Sequence, residues 1–314
     1  MIAKIAVIGA GTMGHGIAEA FALHGLDVRL FDVSEVALAQ ARSLIGEELQ
    51  LLADEDFVPP KQVADTLARI VCTTDLAEAV RDRDYVIEAA PERMELKHDL
   101  LKRLDALAPA KAILASNTSS LPLDAMATAL SSARRARFMV CHWYNPGHLM
   151  PLVELSFFGN MTAELYAEVA ELYGAIGKQV VKVLKDVPGL VANRIQQGVA
   201  REVFSLIENG VAEPADIDRA LKFGPAFRYA TTGQLEVADF GGLDIWCVVG
   251  DNLLKNMDNS KEANPVLRAR VAEGKLGLKS GEGFFRYPAE QAAAVRRTFM
   301  RKLIHQLKAS AFYV

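Results

Sequence analysis

Apolar positions in the first 190 residues switch repeatedly between two periods. "KIAVIGAG", a β-branched run ending in glycines, and "DVRLFDV" read as strands, and "GHGIAEAFALHG" between them puts Ile17, Phe21 and Ala22 on one helical face with Gly25 at its end. A helical pattern resumes over residues 36–52 until "ADEDFVPP" interrupts it with charges and two prolines. Strand-like runs return at "DYVIEAA", "AILASN" and "RFMVCHW", and less sharply at "PLVELSF" and "KQVVKVL". Strands alternating with helices predict βαβ units and a mainly parallel sheet covered on both faces. After "KDVPG" the texture changes, and long helical patterns dominate from Leu190 onward. The fold class expected is α/β: a doubly wound N-terminal sheet domain over residues 1–187, then an all-α C-terminal domain over 188–314. In the tail, Val295, Phe299, Leu303 and Leu307 form one stripe of an amphipathic helix suited to core or subunit packing.

Bulk properties act mainly by exclusion. A chain of 314 residues exceeds the comfortable size of one core, which agrees with two domains. The net charge of −4 argues against nucleic acid or an anionic membrane as the main partner. No apolar run approaches the roughly 18 residues of a membrane span, and the first thirty residues carry no signal-peptide pattern. Cys72, Cys141 and Cys247 are odd in number, far apart and without metal-ligand spacing. Reduced thiols in a cytoplasmic protein are therefore expected, and no metal ligands.

Gly9, Gly11 and Gly14, with Thr12 and Met13 inside the motif, spell G-x-G-x-x-G directly after a strand and at the start of a helix. Gly9 permits the tight turn, Gly11 lets the backbone approach a pyrophosphate, and Gly14 allows close helix–strand contact. The helix N-terminus then offers unpaired N–H groups to phosphate oxygens. Asp32 closes the second strand eighteen residues after Gly14. A carboxylate there accepts from both ribose hydroxyls and repels a 2′-phosphate, so NAD is expected rather than NADP.

"FMVCHWYNPGHLMPLVEL" buries two titratable groups, His142 and Glu154, in otherwise apolar runs. Oxidising an alcohol with NAD requires a base for the hydroxyl proton, and histidine titrates near working pH. A carboxylate beside it fixes the tautomer and stabilises the imidazolium. Core packing accounts for the same spacing equally well.

The motifs taken together resemble the 3-hydroxyacyl-CoA dehydrogenase family over nearly the whole chain. They are the glycine fingerprint, "VIEAAPE" with a lysine soon after, "ASNTSSL", H-x-x-N-P followed by L-V-E, "KDVPGLVANR" and "KLGLKSGEGFFRY". The resemblance implies a Rossmann domain followed by a helical domain that usually dimerises, so a homodimer through the helical domain is expected. It implies that His142 is the base and Glu154 its orienting partner. Ser119 and Asn193 would hydrogen-bond the substrate oxygen or groups beside it. Glu92, Lys97, Asn117 and Lys279 match positions that contact the cofactor. "HWYNP" for the commoner "HFFNP", and Leu190 for a usual phenylalanine, remove no functional group.

Two departures bear on the substrate. Aligned without gaps from Asp32, the family's CoA-contacting serine and lysine fall on Glu48 and Glu55, in a segment (residues 46–57) with five acids and no bases. A CoA 3′-phosphate would be repelled there, unless a shorter loop brings Lys61 into that role. In place of a His-Pro-Met-Gly-Pro-like turn the chain has "FGPAFRYATTGQLEVADFGGLDI". That stretch resembles relatives acting on free acids, such as L-gulonate 3-dehydrogenase, carnitine 3-dehydrogenase and a pyridine-carboxylate dehydrogenase. Arg228 is then a candidate for gripping a substrate carboxylate, since a guanidinium binds one bidentately. The reading is an NAD-dependent dehydrogenase acting on the 3-hydroxyl of a small acid or acyl substrate, with the CoA-linked enzyme as the alternative. A non-catalytic NAD-binding protein would not need both His142 and Glu154. A lysine-dependent β-hydroxy acid dehydrogenase, using Lys182 or Lys185, would leave that pair without a role.

Overall fold

Parallel strands need crossover helices, and the chain supplies one after nearly every strand. The computed structural model describes residues 2–311. Strands β1 (Lys4–Ile8), β2 (Asp27–Phe31), β3 (Ile70–Thr73), β4 (Tyr85–Glu88), β5 (Ile113–Ser116), β6 (Phe138–Trp143), β7 (Leu152–Ser156) and β8 (Gln179–Val183) form one sheet in the order β3-β2-β1-β4-β5-β6-β7-β8. Pairing is parallel from β3 through β6, antiparallel between β6 and β7, and parallel again between β7 and β8. The direction of winding reverses between β1 and β4, whose carboxyl ends define the crevice where such sheets take ligands.

Local chemistry sets the first helices. Helix α1 (Gly14–Leu23) is buried along almost its whole length, so the apolar face expected around Ile17 and Phe21 widens to nearly every position. Ser34 caps α2 (Glu35–Asp54) by accepting from the Ala37 N–H, and Pro60 opens α3 (Pro60–Ala68) at a position where a missing N–H costs nothing. Beneath α1, Phe21, Trp143, Tyr173 and Tyr85 meet edge-on or tilted, with centroids 5.4–6.3 Å apart. The Tyr173 hydroxyl joins Tyr85 at 3.0 Å and Cys141 at 2.9 Å, so the buried polar atoms are satisfied. Burial pushes the Cys141 thiol up to about 12, which makes it an inert packing group.

Contacts divide the chain into Met1–Val191 and Ala192–Val314. Residues 188–191 stay with the sheet because the Gly189 N–H donates to the Ser119 carbonyl and the Val191 N–H to Glu154. The second unit is helical, with Ala192–Glu208, Pro214–Phe223, Leu243–Leu253 and Ala292–Ser310 its longest helices, apart from isolated bridges around Glu282. Asn264 accepts from the Val266 N–H as a cap and donates to Glu208, and Phe204 stacks on Phe284 at 5.6 Å. On the last helix Ile304 is buried, Val295, Leu303 and Leu307 are half-buried, and Phe299 is exposed.

Candidate active site

At the carboxyl end of β1 the glycine turn is sterically dictated. Gly9 has φ +107°, and a Cβ on Gly14 would lie 1.7 Å from the Gly9 carbonyl oxygen. A Cβ on Gly11 would meet nothing within 4 Å, so the backbone there is open to a ligand. No side chain caps the N-terminus of α1. The turn walls a cleft of about 660 Å³ together with Thr12, Met13, Asp32 and the start of a fifth helix, α5 (Met94–Leu107; α4 is Leu76–Val80). Asp32 accepts from the N–H groups of Ala10 and Ser34 at 2.8 and 3.0 Å, which fixes its carboxylate at the cleft. Open backbone at Gly11, an uncapped helix N-terminus and an acid at the end of β2 suit the pyrophosphate and ribose of NAD.

His142 and Glu154 face each other in register across the antiparallel β6–β7 pair. His142 Nδ1 lies 2.8 Å from Glu154 Oε2, and Glu154 is fully buried. Glu154 Oε1 accepts from the Val191 N–H at 2.8 Å. An ionised carboxylate buried this way requires such partners. It holds the Nδ1 proton and leaves Nε2 for proton exchange. Tyr144 stands edge-on to the imidazole with centroids 5.5 Å apart. Burial and the Glu154 charge push its phenol up, so it stays neutral.

Neighbouring strand ends hold the remaining candidates of the first unit. Asn117 Oδ1 accepts from the Trp143 N–H at 2.8 Å, tying the end of β5 to the residue after His142. Glu92 accepts from the N–H groups of Ser119 and Ser120 and from the hydroxyls of Thr118 and Ser120. Burial pushes its carboxyl up, but the Thr118 hydroxyl, the Lys97 ammonium and the Ser120 and Ser119 donors outweigh that and keep it below the ordinary carboxylate value. Glu92 thereby fixes the loop that carries Ser119. Lys97 is buried, bonding Glu88 at 2.7 Å and approaching Glu92 at 3.4 Å. Glu88, bridged to Lys97 and to the Ser116 hydroxyl, is an organising residue that the sequence motifs did not single out. Its signal was a charged residue closing a fully buried strand, which needs a cation nearby.

Asn193, Arg228 and Lys279 belong to the second unit. Asn193 stands half-buried at the start of helix Ala192–Glu208, two residues beyond Val191. Arg228 and Lys279 are exposed.

The descriptions "3-hydroxyacyl-CoA dehydrogenase, NAD binding domain" and "3-hydroxyacyl-CoA dehydrogenase, C-terminal domain" match residues 4–187 and 189–287. The chain belongs to the 3-hydroxyacyl-CoA dehydrogenase family. As its members are, it is an NAD-dependent oxidoreductase acting on CH–OH groups. The 5-formyl-3-hydroxy-2-methylpyridine 4-carboxylate 5-dehydrogenase of Mesorhizobium japonicum is 34% identical over 304 residues, 97% of each chain. A probable 3-hydroxybutyryl-CoA dehydrogenase of Deinococcus radiodurans is 39% identical over 287 residues, covering 90% of this chain and 100% of that one. A crystal structure of a 5-formyl-3-hydroxy-2-methylpyridine 4-carboxylic acid 5-dehydrogenase, called an NAD+ dependent dismutase, superposes with a TM-score of 0.90 at 33% identity, covering 99% of both chains.

Proposed function

We propose that this dehydrogenase oxidises the 3-hydroxyl of a small free acid, with His142 as base and Glu154 as its positioning partner. In this reading NAD, when bound along the glycine turn, supplies the hydride acceptor. His142 Nε2 takes the hydroxyl proton and Glu154 stabilises the resulting imidazolium, a device worth about 10²–10⁴ in rate. The Ser119 hydroxyl donates to the oxygen that becomes a carbonyl. Thr12, Met13, Asp32, Glu92, Lys97, Asn117 and Lys279 are assigned to the cofactor, directly or through the loops they hold. Asn193 and Arg228 are assigned to substrate.

The acidic end of α2 carries the substrate class. Glu47, Asp54 and Asp56 are exposed, and no base occurs from Gly46 to Phe57. Glu48, which in the sequence counted among the acids repelling CoA, is instead turned inward, its side chain only 13% exposed. The remaining acids still oppose a 3′-phosphate. The name of the pyridine-carboxylate relative supports a free-acid substrate. A homodimer through the helical unit, a cytoplasmic setting, and no nucleic-acid or membrane partner complete the proposal. Among the described residues no helix is long and apolar enough to cross a membrane.

The test is NADH consumption with acetoacetyl-CoA set against a panel of free 3-oxo acids. Turnover of a free acid with little of the thioester is the expected result. Fast turnover of acetoacetyl-CoA would overturn the free-acid assignment and leave the CoA-linked role.

A further inference from the structure

A second polar cluster lies within the first unit, on α1, α2 and the loop that follows β6. Among the described residues, four buried side-chain nitrogen and oxygen atoms lack a hydrogen bond, and all four are here: both carboxylate oxygens of Glu19, Oε2 of Glu48 and Nδ1 of His148. Glu19 is wholly buried and the His148 side chain is 3% exposed. A buried carboxylate without a partner is among the most costly groups a fold can carry. One donor atom from each of Glu19, Glu48 and His148 lies within 4.8 Å of the others.

The converging atoms are two carboxylates and an imidazole nitrogen. His15 Nδ1 donates to the Gly11 carbonyl at 2.8 Å, and its Nε2 faces Glu48 Oε2 at 3.5 Å. His148 Nδ1 approaches the same oxygen at 3.5 Å. The nearby ammonium of Lys178 is committed elsewhere, donating to the Gly147 and Met150 carbonyls at 2.8 Å each, and no ion pair among the described residues joins it to either glutamate. The close approach of helix and loop is built in. A Cβ on Gly16 would come within 3.1 Å of the His148 backbone nitrogen, so glycine there favours α1 lying this near.

We propose that Glu19, Glu48 and His148 bind one divalent transition-metal ion of the zinc class, with His15 set against the outer side of the Glu48 carboxylate. Two carboxylates and an imidazole, with a water completing four, are a zinc-type donor set, whereas magnesium and calcium prefer oxygen throughout. Tetrahedral bonds of about 2.0–2.1 Å place ligand atoms roughly 3.3 Å apart, close to the 3.5 Å of the Glu48–His148 contact and reached from the 4.8 Å bound on the whole set by a small inward shift of Glu19. The ion would pin α1, which starts at the last glycine of the motif, to α2 and to a loop residue six positions beyond His142. Its role is a brace, and no step of the dehydrogenation passes through it. The cysteines give no sign of a metal site. His15 and Glu19 are four apart on one helical face, but Glu48 and His148 are distant in the chain, so no motif joins them.

The test is metal content of the full chain, produced without a histidine tag in zinc-supplemented medium and purified without chelator. The expected result is close to one zinc per chain, most of it lost in Glu19→Gln and in His148→Ala. Stripping the ion with dipicolinate should lower the melting temperature by at least ~3 °C, with added zinc restoring it. Cobalt substitution should give the visible absorption of a four-coordinate site, altered in His148→Ala. If a variant fails to fold by circular dichroism, the chelation and cobalt measurements on the unaltered chain decide. Metal-free protein whose melting temperature ignores added zinc would overturn the proposal and leave shared protons as the cluster's cement. Zinc retained undiminished in both folded variants would also overturn it, by placing the ion elsewhere. None of these readouts depends on turnover.

Discussion

An imidazole held at 2.8 Å from a fully buried carboxylate has one nitrogen committed and one free. If that free nitrogen handles the substrate proton, His142→Ala should lower kcat by about 10²–10⁴. NADH affinity, read by fluorescence titration, should stay close to the wild-type value, because the glycine turn and Asp32 lie on other strands. A matching loss of NADH affinity would make His142 a packing residue. At this scale the sequence was informative where chemistry constrains residue type, as at Gly9, Gly14, His142 and Glu154. It was silent where a role depends on burial. Lys97 is matched to the cofactor by its motif, but that its ammonium is buried against Glu88 and Glu92 was not legible there. Glu48 reads as a surface acid in an acidic run, yet its side chain points inward. Only the helix phase, fixed by packing, distinguishes it from Glu47.

Elements inherit their orientation from contacts at their ends, and α5 shows this at both. Near its start Lys97 is anchored beneath the Glu92 loop. At its far end the guanidinium of Arg134 donates to the carbonyls of Ala108, Pro109 and Ala112 and to Asp105. A cation there satisfies carbonyls of the C-cap and the turn that follows it, and complements the helix dipole. Arg134→Met should cost about 2–4 kcal/mol, since several buried carbonyls and a carboxylate lose their donor together. Burial pushes the Asp105 carboxyl up, but the Ser131 N–H, the Arg134 guanidinium and the Ser131 hydroxyl outweigh it and hold it below its ordinary value. Its contribution is thus fully present above the unfolded value of about 3.9 and fades as pH falls through the lower folded value. Melting temperatures followed from neutral to acid pH should drop more steeply for the wild type than for Arg134→Met in that window. Parallel curves would remove the pair from the acid response. Among elements, β3 left the faintest trace in the sequence. It is an edge strand of four residues with only Ile70 fully buried, too short for a period to register. The strands β7 and β8 were legible but weak, because β7 has inward-facing polar groups at Glu154 and Ser156 and β8 exposes Gln179 and Lys182.

For the whole molecule, the change from alternating to purely helical pattern was visible in the chain, but the residues that hold 188–191 to the sheet were not, since they act through backbone N–H groups. Nor could a sequence say which apolar side chains of the helical unit remain uncovered. Leu235, Phe240, Leu243, Val248 and Leu254 are each at least 60% exposed, and Phe223 and Phe227 add two exposed rings at 74% and 69%. Isolated exposed apolar residues are ordinary, but this density along helices Pro214–Phe223 through Leu243–Leu253 exceeds what a monomer ordinarily leaves in water. A second copy covering that surface, as proposed, would explain it without further partners, and twofold association is the commonest form of self-assembly. Phe240→Asp places a charge on the most exposed of these rings, where dimer formation would have to desolvate it without a partner. Sedimentation velocity should then show the wild type at twice the chain mass and Phe240→Asp shifted toward one chain. NADH affinity should persist in the monomer, because the glycine turn, Asp32 and the cleft they line all belong to the first unit. A wild type that sediments as a single chain would remove the dimer from the proposal. A variant that stays dimeric would move the interface off this face of the helical unit.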